Sequence, residues 1–257
     1  MLIKTIDSHV HILRNRLEAF RIFYHAKKQF EVLNSRNGTI SDYRKLMHPQ
    51  IDNALIFHSN FHKEGKTLAK SNEYISRISL KDTRFKPVYI FSRQLPDNFD
   101  HDFSAVKLHP EIQKIKVNEP EFSPLYKFCS KNKIPIILHM GKLKNNSDPT
   151  TPEILADLIK EFPGIVIILA HLGGEPNKEL INLLKIYQKN IYLDTAGKND
   201  ALILRQMLKV VGPERILFGS DYPWFEPNEE IKKLKKNIPD KCHKKILHEN
   251  AKQIFKL

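Results

Sequence analysis

Short apolar runs alternate with longer amphipathic segments along almost the whole chain. Eight apolar runs predict β-strands, at residues 3–10, 53–57, 87–91, 105–108, 134–139, 165–171, 191–195 and 216–219. Most of these runs are continuously apolar and do not alternate with polar residues. That pattern is typical of parallel strands that are buried on both faces of a sheet.

The segments between the predicted strands have the residue spacing of amphipathic helices. Helices are predicted at residues 17–33, 66–80, 124–132, 152–162, 177–189, 200–211, 228–236 and 243–255. The helix at 152–162 has a clear start, because Thr151 offers an N-cap and Pro152 suits the first helical position. The connection from 13 to 49 is long, and it is predicted to hold one long and one short helix.

Strands and helices thus alternate eight times in a chain of 257 residues. This number and rhythm predict an α/β protein with a (β/α)8 TIM barrel, formed as a single domain over residues 1–257. A doubly wound open sheet is the alternative fold, and it often carries a glycine-rich phosphate-binding turn after its first strand. Here the first strand carries His-Val-His, and the chain contains neither G-x-G-x-x-G nor a P-loop. The barrel is therefore favoured.

Composition narrows the class of protein further. Cys129 and Cys242 are the only cysteines, which excludes a disulfide scaffold and fits a reducing compartment. The N-terminal residues do not read as a signal peptide. The longest clean apolar run, at 165–170, is far shorter than the roughly 20 residues that span a bilayer. We expect a cytoplasmic protein with no membrane partner.

The net charge is +13, from 42 basic and 29 acidic residues. Such a balance is compatible with nucleic acid or an acidic metabolite as partner, but also with a lysine-rich solvated surface. The densest basic run comprises Lys232, Lys233, Lys235, Lys236, Lys241, Lys244 and Lys245. It contains no interleaved aromatic residues of the kind that stack on bases, so nucleic acid is not the expected partner.

Polar residues cluster at the carboxyl ends of the predicted strands, the positions at which (β/α)8 barrels carry their catalytic groups. These residues are Asp7, His9, His11, His58, Lys107, His109, His139, His171 and Asp221. His9 and His11 are two residues apart on one strand, so both imidazoles face the same side and can share one cation. Imidazole and carboxylate are suitable ligands for a catalytic zinc, which keeps one position open for water. A single histidine is more often structural, but several strand ends that converge on one face indicate a site.

The motifs around these residues resemble a known family. They read Asp-Ser-His-Val-His at 7–11, Val-Lys-Leu-His-Pro at 106–110, Leu-His-Met-Gly at 138–141, Leu-Ala-His-Leu-Gly-Gly at 169–174, Leu-Phe-Gly-Ser-Asp-Tyr-Pro-Trp at 217–224 and Asn-Ala at 250–251. They are similar to amidohydrolase-related proteins, and more closely to the branch that contains aminocarboxymuconate-semialdehyde decarboxylase and related metal-dependent hydrolases. The resemblance spans residues 5–251. The ordered set of motifs is specific for the superfamily but not for a substrate.

The resemblance implies a distorted (β/α)8 barrel with a divalent metal. By the family pattern, His9, His11, His139 and Asp221 match the metal ligands, while His171 matches the acid/base histidine of the sixth strand. Asp221 would also accept a hydrogen bond from metal-bound water. One zinc is the expected cofactor, with manganese or cobalt as alternatives. Lys107 is either a cationic substrate contact or an ion-pair partner; if it were carboxylated, it would bridge to a second metal held by His139 and His171.

The expected activity is hydrolysis of an amide, lactone or ester bond in a small carboxylated molecule by metal-activated water. The alternative is metal-dependent, non-oxidative decarboxylation of an unsaturated or aromatic acid, which the same ligand set would serve. A non-catalytic or nucleic-acid-binding barrel is a third hypothesis, and a nuclease or phosphoesterase is a fourth. The candidate substrate-binding residues are His58, Arg93, Lys107, His109 and Trp224. Family members are often homodimers, but the sequence carries no interface signature that decides this.

Overall fold

Eight parallel strands form one sheet, with each strand hydrogen-bonded to the next in chain order. The computed structural model describes residues 3–23, 36–47, 49–61, 65–91, 103–140, 150–197 and 200–257. The strands are β1 (Thr5–Ile12), β2 (Ile51–His58), β3 (Phe85–Ile90), β4 (Ala105–Leu108), β5 (Ile136–Leu138), β6 (Ile167–Leu169), β7 (Ile191–Asp194) and β8 (Ile216–Leu217). All eight predicted strands are therefore present.

The sheet closes into a barrel where the chain after β8 returns to β1. The Ser8 amide donates to the Phe218 carbonyl at 2.9 Å, and the His11 amide donates to the Tyr222 carbonyl at 2.8 Å. In the other direction, the Asp221 amide donates to the His9 carbonyl at 3.0 Å. The seam is thus made mostly by residues beyond the end of β8. The predicted (β/α)8 barrel is confirmed.

Helices follow the strands around the barrel. Those in the described residues are α1 (Arg16–Phe23), α2 (Ile40–Met47), α3 (Gly65–Lys81), α4 (Pro110–Gln113), α5 (Ser123–Asn132), α6 (Pro152–Glu161), α7 (Lys178–Ile186), α8 (Ala201–Val211), α9 (Pro227–Asn237), α10 (Asp240–Lys244) and α11 (Asn250–Phe255). The Thr151 hydroxyl accepts from the Ile154 amide, which confirms the predicted N-cap of α6. The second half of the helix predicted at 17–33 lies outside the described residues.

The apolar residues form two layers of core, one between the strands and the helices and one inside the barrel. The inner layer contains one or two side chains from each of several strands, among them Leu55, Val88, Ile137 and Ile168. Ala251 and Phe255 of α11 belong to the same inner cluster. Because apolar side chains fill this part of the interior, the buried polar groups collect at the carboxyl ends of the strands.

The densest lysine run lies on α9, α10 and the π-helical turn Lys245–Glu249. Several of its charges pair along their own helices: Lys232 with Glu229 at 2.6 Å and Lys233 with Glu230 at 2.7 Å. This pairing favours the interpretation of the run as a solvated helix face. No helix in the described part of the chain is long and apolar enough to cross a membrane.

Asn250 joins the C-terminal helix to the strand that closes the barrel, and its removal should be costly. The side-chain amide donates at 2.7 Å to both the Pro213 and the Ile216 carbonyl. Alanine at this buried position would leave two carbonyl groups without a hydrogen-bond donor. We therefore expect Asn250→Ala to lower the free energy of unfolding by about 2–3 kcal/mol. Asn132→Ala is the control, because its exposed amide bonds to the Phe128 carbonyl at 2.9 Å, and we expect a change below about 0.5 kcal/mol. Urea denaturation measures both, and equal effects would contradict the role of Asn250.

Candidate metal centre and active site

Three ligand atoms from the two sides of the barrel seam converge at the mouth. Asp221 Oδ1 lies 3.3 Å from His11 Nε2 and 3.6 Å from His9 Nε2. The three ligand atoms lie within 4.8 Å of one another. Within the described residues, this is the group of side chains that could hold a metal ion. His9 and His11 are buried, while the Asp221 side chain is 14% exposed. The cluster is therefore largely buried, and part of the Asp221 carboxylate is exposed to solvent.

Local backbone geometry turns these side chains towards one another. The ladder between β1 and β2 shifts register between Asp7 and Val10, which places an irregularity at the first histidine. Asp221 has φ 62° and His171 has φ 58°, values that are rare for residues with a side chain. Strained backbone of this kind persists where the surrounding structure holds it and is concentrated at functional sites.

The imidazole rings of His9 and His11 each form a hydrogen bond through Nδ1, on the side of the ring away from the cluster. His9 Nδ1 lies 2.8 Å from Asp194 Oδ2, and His11 Nδ1 lies 3.1 Å from Ser59 Oγ. Because a carboxylate only accepts, His9 Nδ1 carries the proton and its Nε2 lone pair faces the cluster. Burial lowers the pKa of His11 to about 4 and the pKa of His9 well below its usual range, so both rings are neutral. Two neutral imidazoles and a carboxylate match the ligands of a divalent cation.

The Asp221 carboxyl group is ionised in this setting. Burial would raise its pKa, but the hydrogen bond with His11 opposes the rise and holds the pKa below its ordinary value. An ionised carboxylate beside two neutral imidazoles supplies the negative charge that a cation site needs.

Lys107 points into the barrel directly behind the cluster. It is fully buried, and its Nζ lies 3.4 Å from His9 Nε2 and 5.2 Å from the centre of the Phe57 ring. Burial lowers the pKa of Lys107 to about 8, against the opposing charges of Asp194 and Asp221. The predicted proximity of Lys107 to the site is thus present, as a contact with His9.

His139, His171 and His109 form a second group of rings beside the cluster. His171 Nε2 lies 3.0 Å from His139 Nδ1, and the His171 ring centre lies 5.3 Å from that of His9. The His109 ring stacks on His139 with centres 3.7 Å apart. His139, predicted as a ligand, thus contacts His171 and His109 and is not one of the three groups whose ligand atoms converge. Burial, followed by the neighbouring His109, lowers the pKa of His139, so this ring is neutral.

Aromatic rings surround the cluster on its inner and outer sides. The Phe57 ring centre lies 4.4 Å from that of His11, and Trp224 meets His11 edge-on at 4.6 Å. Phe61 lies 5.0 Å from His109. The Arg36 guanidinium donates to the Trp224 carbonyl at 3.1 Å, which fixes the loop that carries the tryptophan. We call Phe57, Phe61 and Trp224 the aromatic wall.

One predicted substrate contact, His58, is not brought to the cluster. His58 follows Phe57 on β2, and since Phe57 faces inward, His58 turns to the helix layer. There its Nε2 lies 3.0 Å from Glu18 Oε2 of α1. Arg93 lies outside the described residues.

Two residues that the strand-end pattern did not single out hold the ligands in place. Asp194 lies at the end of β7 and is fully buried, and Ser59 follows β2 and is 2% exposed. Burial raises the pKa of Asp194, while His171, Lys107 and backbone amide donors oppose the rise. An acid at the end of an otherwise apolar strand is a signal that could have found Asp194. Ser59 carries no comparable signal.

Gly219 is predicted to be essential for the position of His9. A Cβ at 219 would lie 2.7 Å from His9 Cβ, an atom that is fixed to the backbone of β1. We expect Gly219→Ala to cost about 1–3 kcal/mol of stability through overpacking and to weaken manganese binding. Gly164→Ala is the matched control, because its Cβ would meet the rotatable Ser130 hydroxyl at 2.6 Å. Thermal unfolding and metal titration of both variants test this; equal metal affinities would contradict it.

Comparison with known proteins places this chain in a family. The amidohydrolase family model matches residues 98–257, more than half of the chain. A solved 2,6-dihydroxybenzoate decarboxylase from Rhizobium is 19% identical with a TM-score of 0.77, covering 100% of this chain and 99% of its own. A 5-carboxyvanillate decarboxylase from Novosphingobium aromaticivorans, with manganese and 4-hydroxy-3-methoxy-5-nitrobenzoic acid bound, is 14% identical with a TM-score of 0.77, covering 99% and 96%. A dihydroxybenzoic acid decarboxylase from Polaromonas, with manganese and 2-nitroresorcinol bound, is 18% identical with a TM-score of 0.77, covering 100% and 98%.

This chain belongs to the amidohydrolase family, and it has the (β/α)8 barrel of the enzymes of that superfamily. The family resemblance read from the motifs is therefore confirmed. At 14–19% identity the solved structures establish the fold.

Proposed function

We propose that this protein is a metal-dependent, non-oxidative decarboxylase of an aromatic carboxylic acid. The observation that carries the proposal is the aromatic wall beside the converging ligands His9, His11 and Asp221. Trp224 is the partly exposed member of the wall, and a planar ring would pack against it by edge and face contacts. A carboxylate on that ring would then reach the ligand cluster.

Similar structures support this choice over hydrolysis, which was the first expectation. Three whole-length structural relatives are decarboxylases of hydroxylated or methoxylated benzoic acids, and two of them are solved with manganese. Hydrolysis of an amide, lactone or ester would use the same ligands. The donor set alone therefore does not choose between the reactions, and the aromatic surroundings favour the ring acid.

The reaction has a simple balance. The bond between the ring carbon and the carboxylate carbon breaks, carbon dioxide leaves, and the bonding electron pair stays on the ring carbon. That carbon then takes one proton, so the products are the arene and carbon dioxide. A divalent cation held by His9, His11 and Asp221 would bind the anionic substrate and stabilise negative charge as it develops on it.

The residues of this chain have separate roles in the proposal. His171 is the proposed proton donor: its Nδ1 donates to the Ala196 carbonyl at 2.7 Å, so its Nε2, which lies 3.0 Å from His139 Nδ1, is the atom that takes up and releases a proton. Trp224 positions the ring, and Phe61 packs behind it against His11 and His109. His109 Nδ1 accepts a hydrogen bond from the Ile112 amide at 3.5 Å. The ring proton is then on Nε2, which can donate to a substrate oxygen.

Manganese or zinc is the proposed metal. Two imidazoles with one carboxylate suit both ions, and manganese is present in the relatives from Novosphingobium and Polaromonas. One ion is proposed, because one group of three converging ligands is present in the described residues. Elemental analysis should give about one metal ion per chain. A value near two would contradict the single-metal site and would indicate that Lys107 bridges two ions.

The test uses hydroxylated and methoxylated benzoic acids with a ¹³C-labelled carboxyl group, alongside a panel of lactones and amides. Manganese-loaded protein in D2O is expected to release labelled carbon dioxide and to place deuterium on the vacated ring carbon. Protein treated with a chelator should do neither. Turnover of a lactone or amide with no release of carbon dioxide from any ring acid would overturn the proposal in favour of hydrolysis.

A further inference from the structure

Asp194 contacts both halves of the site through its two carboxylate oxygens. Oδ2 lies 2.8 Å from His9 Nδ1, and Oδ1 accepts the His171 amide at 2.9 Å and the Ala196 amide at 3.1 Å. The residue is fully buried at the end of β7 and faces the interior of the barrel. One side chain therefore touches a metal ligand and the backbone of the proton donor.

The His9 ring is held between two groups of opposite hydrogen-bonding character. Asp194 accepts at Nδ1, and the Lys107 ammonium donates at Nε2 over 3.4 Å. Both neighbours demand the tautomer with the proton on Nδ1 and the lone pair on Nε2. That tautomer is the one in which Nε2 can bind a cation.

Asp194 Oδ1 accepts hydrogen bonds from the backbone around His171. His171 has a left-handed backbone, and Asp194 Oδ1 bonds its amide and the amide of Ala196. The Ala196 carbonyl in turn accepts from His171 Nδ1 at 2.7 Å. Asp194 thus stabilises both the strained backbone at His171 and the group that orients its ring.

We propose that Asp194 is a positioning residue that sets the tautomer of His9 and the conformation of His171 together. The effect of Asp194 on catalysis rests on the proposed function. Its effect on the tautomer of His9 does not depend on that function. A single carboxylate then couples the orientation of the metal ligand to that of the proton donor. Loss of Oδ2 should disturb His9, and loss of Oδ1 should disturb the backbone at His171.

Asparagine at this position separates the two halves. The amide oxygen would stay with the His171 and Ala196 amides, because those two groups can only donate. The NH2 group would then face His9 Nδ1 and donate to it. His9 would have to move its proton to Nε2, which blocks that atom as a ligand. The same change of acceptor to amide in a Ser-His-Asp triad leaves geometry intact and produces the wrong tautomer.

The test reads the tautomer directly in the metal-free protein by ¹⁵N NMR of the assigned His9 ring, in which the protonated and bare nitrogens give separate signals. Wild-type protein should show the proton on Nδ1, and Asp194→Asn should show it on Nε2. The affinity of Asp194→Asn for manganese chloride should fall about 10–100-fold, the usual loss for a group that orients a ligand. Amide exchange at His171 and Ala196 should stay slow in Asp194→Asn and become fast in Asp194→Ala.

Asp7→Asn is the matched control. Asp7 is an equally buried carboxylate that accepts from the Tyr43 hydroxyl at 2.7 Å and from the Ser220 and His9 backbone amides at 2.9 and 3.3 Å. It bonds no imidazole ring within the described residues, so it acts on the backbone of His9 and not on its tautomer. We expect it to keep the His9 tautomer and the manganese affinity. A wild-type His9 protonated on Nε2 would overturn the proposal even if no variant folds. An unchanged tautomer or unchanged manganese affinity in Asp194→Asn would do so as well, whether or not the protein decarboxylates a ring acid.

Discussion

His11→Ala should lower the affinity for manganese more than about 100-fold, beyond the loss expected for a group that only orients a ligand. His11 Nε2 lies 3.3 Å from Asp221 Oδ1, so the variant removes one of three converging ligand atoms. Isothermal titration of the metal-free protein measures the effect. Activity with a ring acid should fall in parallel, because the substrate would lose its cation.

His58→Ala is the control for that experiment. His58 is also a buried histidine near the mouth, but it bonds Glu18 in the helix layer. Its removal is expected to leave manganese affinity within about twofold of wild type, since it orients no ligand. If His58→Ala lost the metal as completely as His11→Ala, the assignment of the ligands would be wrong.

His171→Ala should retain the metal and lose turnover by about 10²–10⁴-fold, the usual contribution of a positioned acid or base. The ring contacts His139 and the Ala196 carbonyl, and it is not one of the three convergent ligands. His171→Gln keeps polar atoms near those partners but cannot deliver a proton at neutral pH. It should therefore be about as inactive as His171→Ala.

Two measurements together decide the role of His171. Metal content per chain should stay at the wild-type value while the rate of carbon dioxide release falls. If the metal content halved instead, His171 would be a ligand of a second ion and the single-metal site would be wrong. If His171→Gln kept full activity, the proton would come from another group.

The contrast between His11 and His58 shows where sequence reasoning reached its limit. Both follow apolar strand residues, and both were candidates for the mouth. Strand alternation placed His9 and His11 on one face correctly, because the two residues belong to one strand. For His58 the sequence did not say which face of β2 was inward, and the inward position belongs to Phe57.

Asp194 shows a second limit. It lies within a run that predicts strand β7 correctly, and nothing in that run, apart from the acid group itself, distinguishes its side chain from the other strand residues. Its importance depends on contacts with His9 and His171, which are 185 and 23 residues away in the chain. The contact with His171 forms when β6 pairs with β7, and the contact with His9 forms only when the barrel closes.

The sequence by itself determined the barrel, the family and the residue types at the strand ends. Periodic apolar runs specify buried strands and helix faces locally, and eight repeats of that pattern permit few architectures. Only the tertiary structure decided which polar groups converge. Closure of the seam brings Asp221 to His9 and His11, places His139 against His171 and turns His58 away. Those outcomes depend on register and on left-handed backbone at His171 and Asp221, and long-range hydrogen bonds set both.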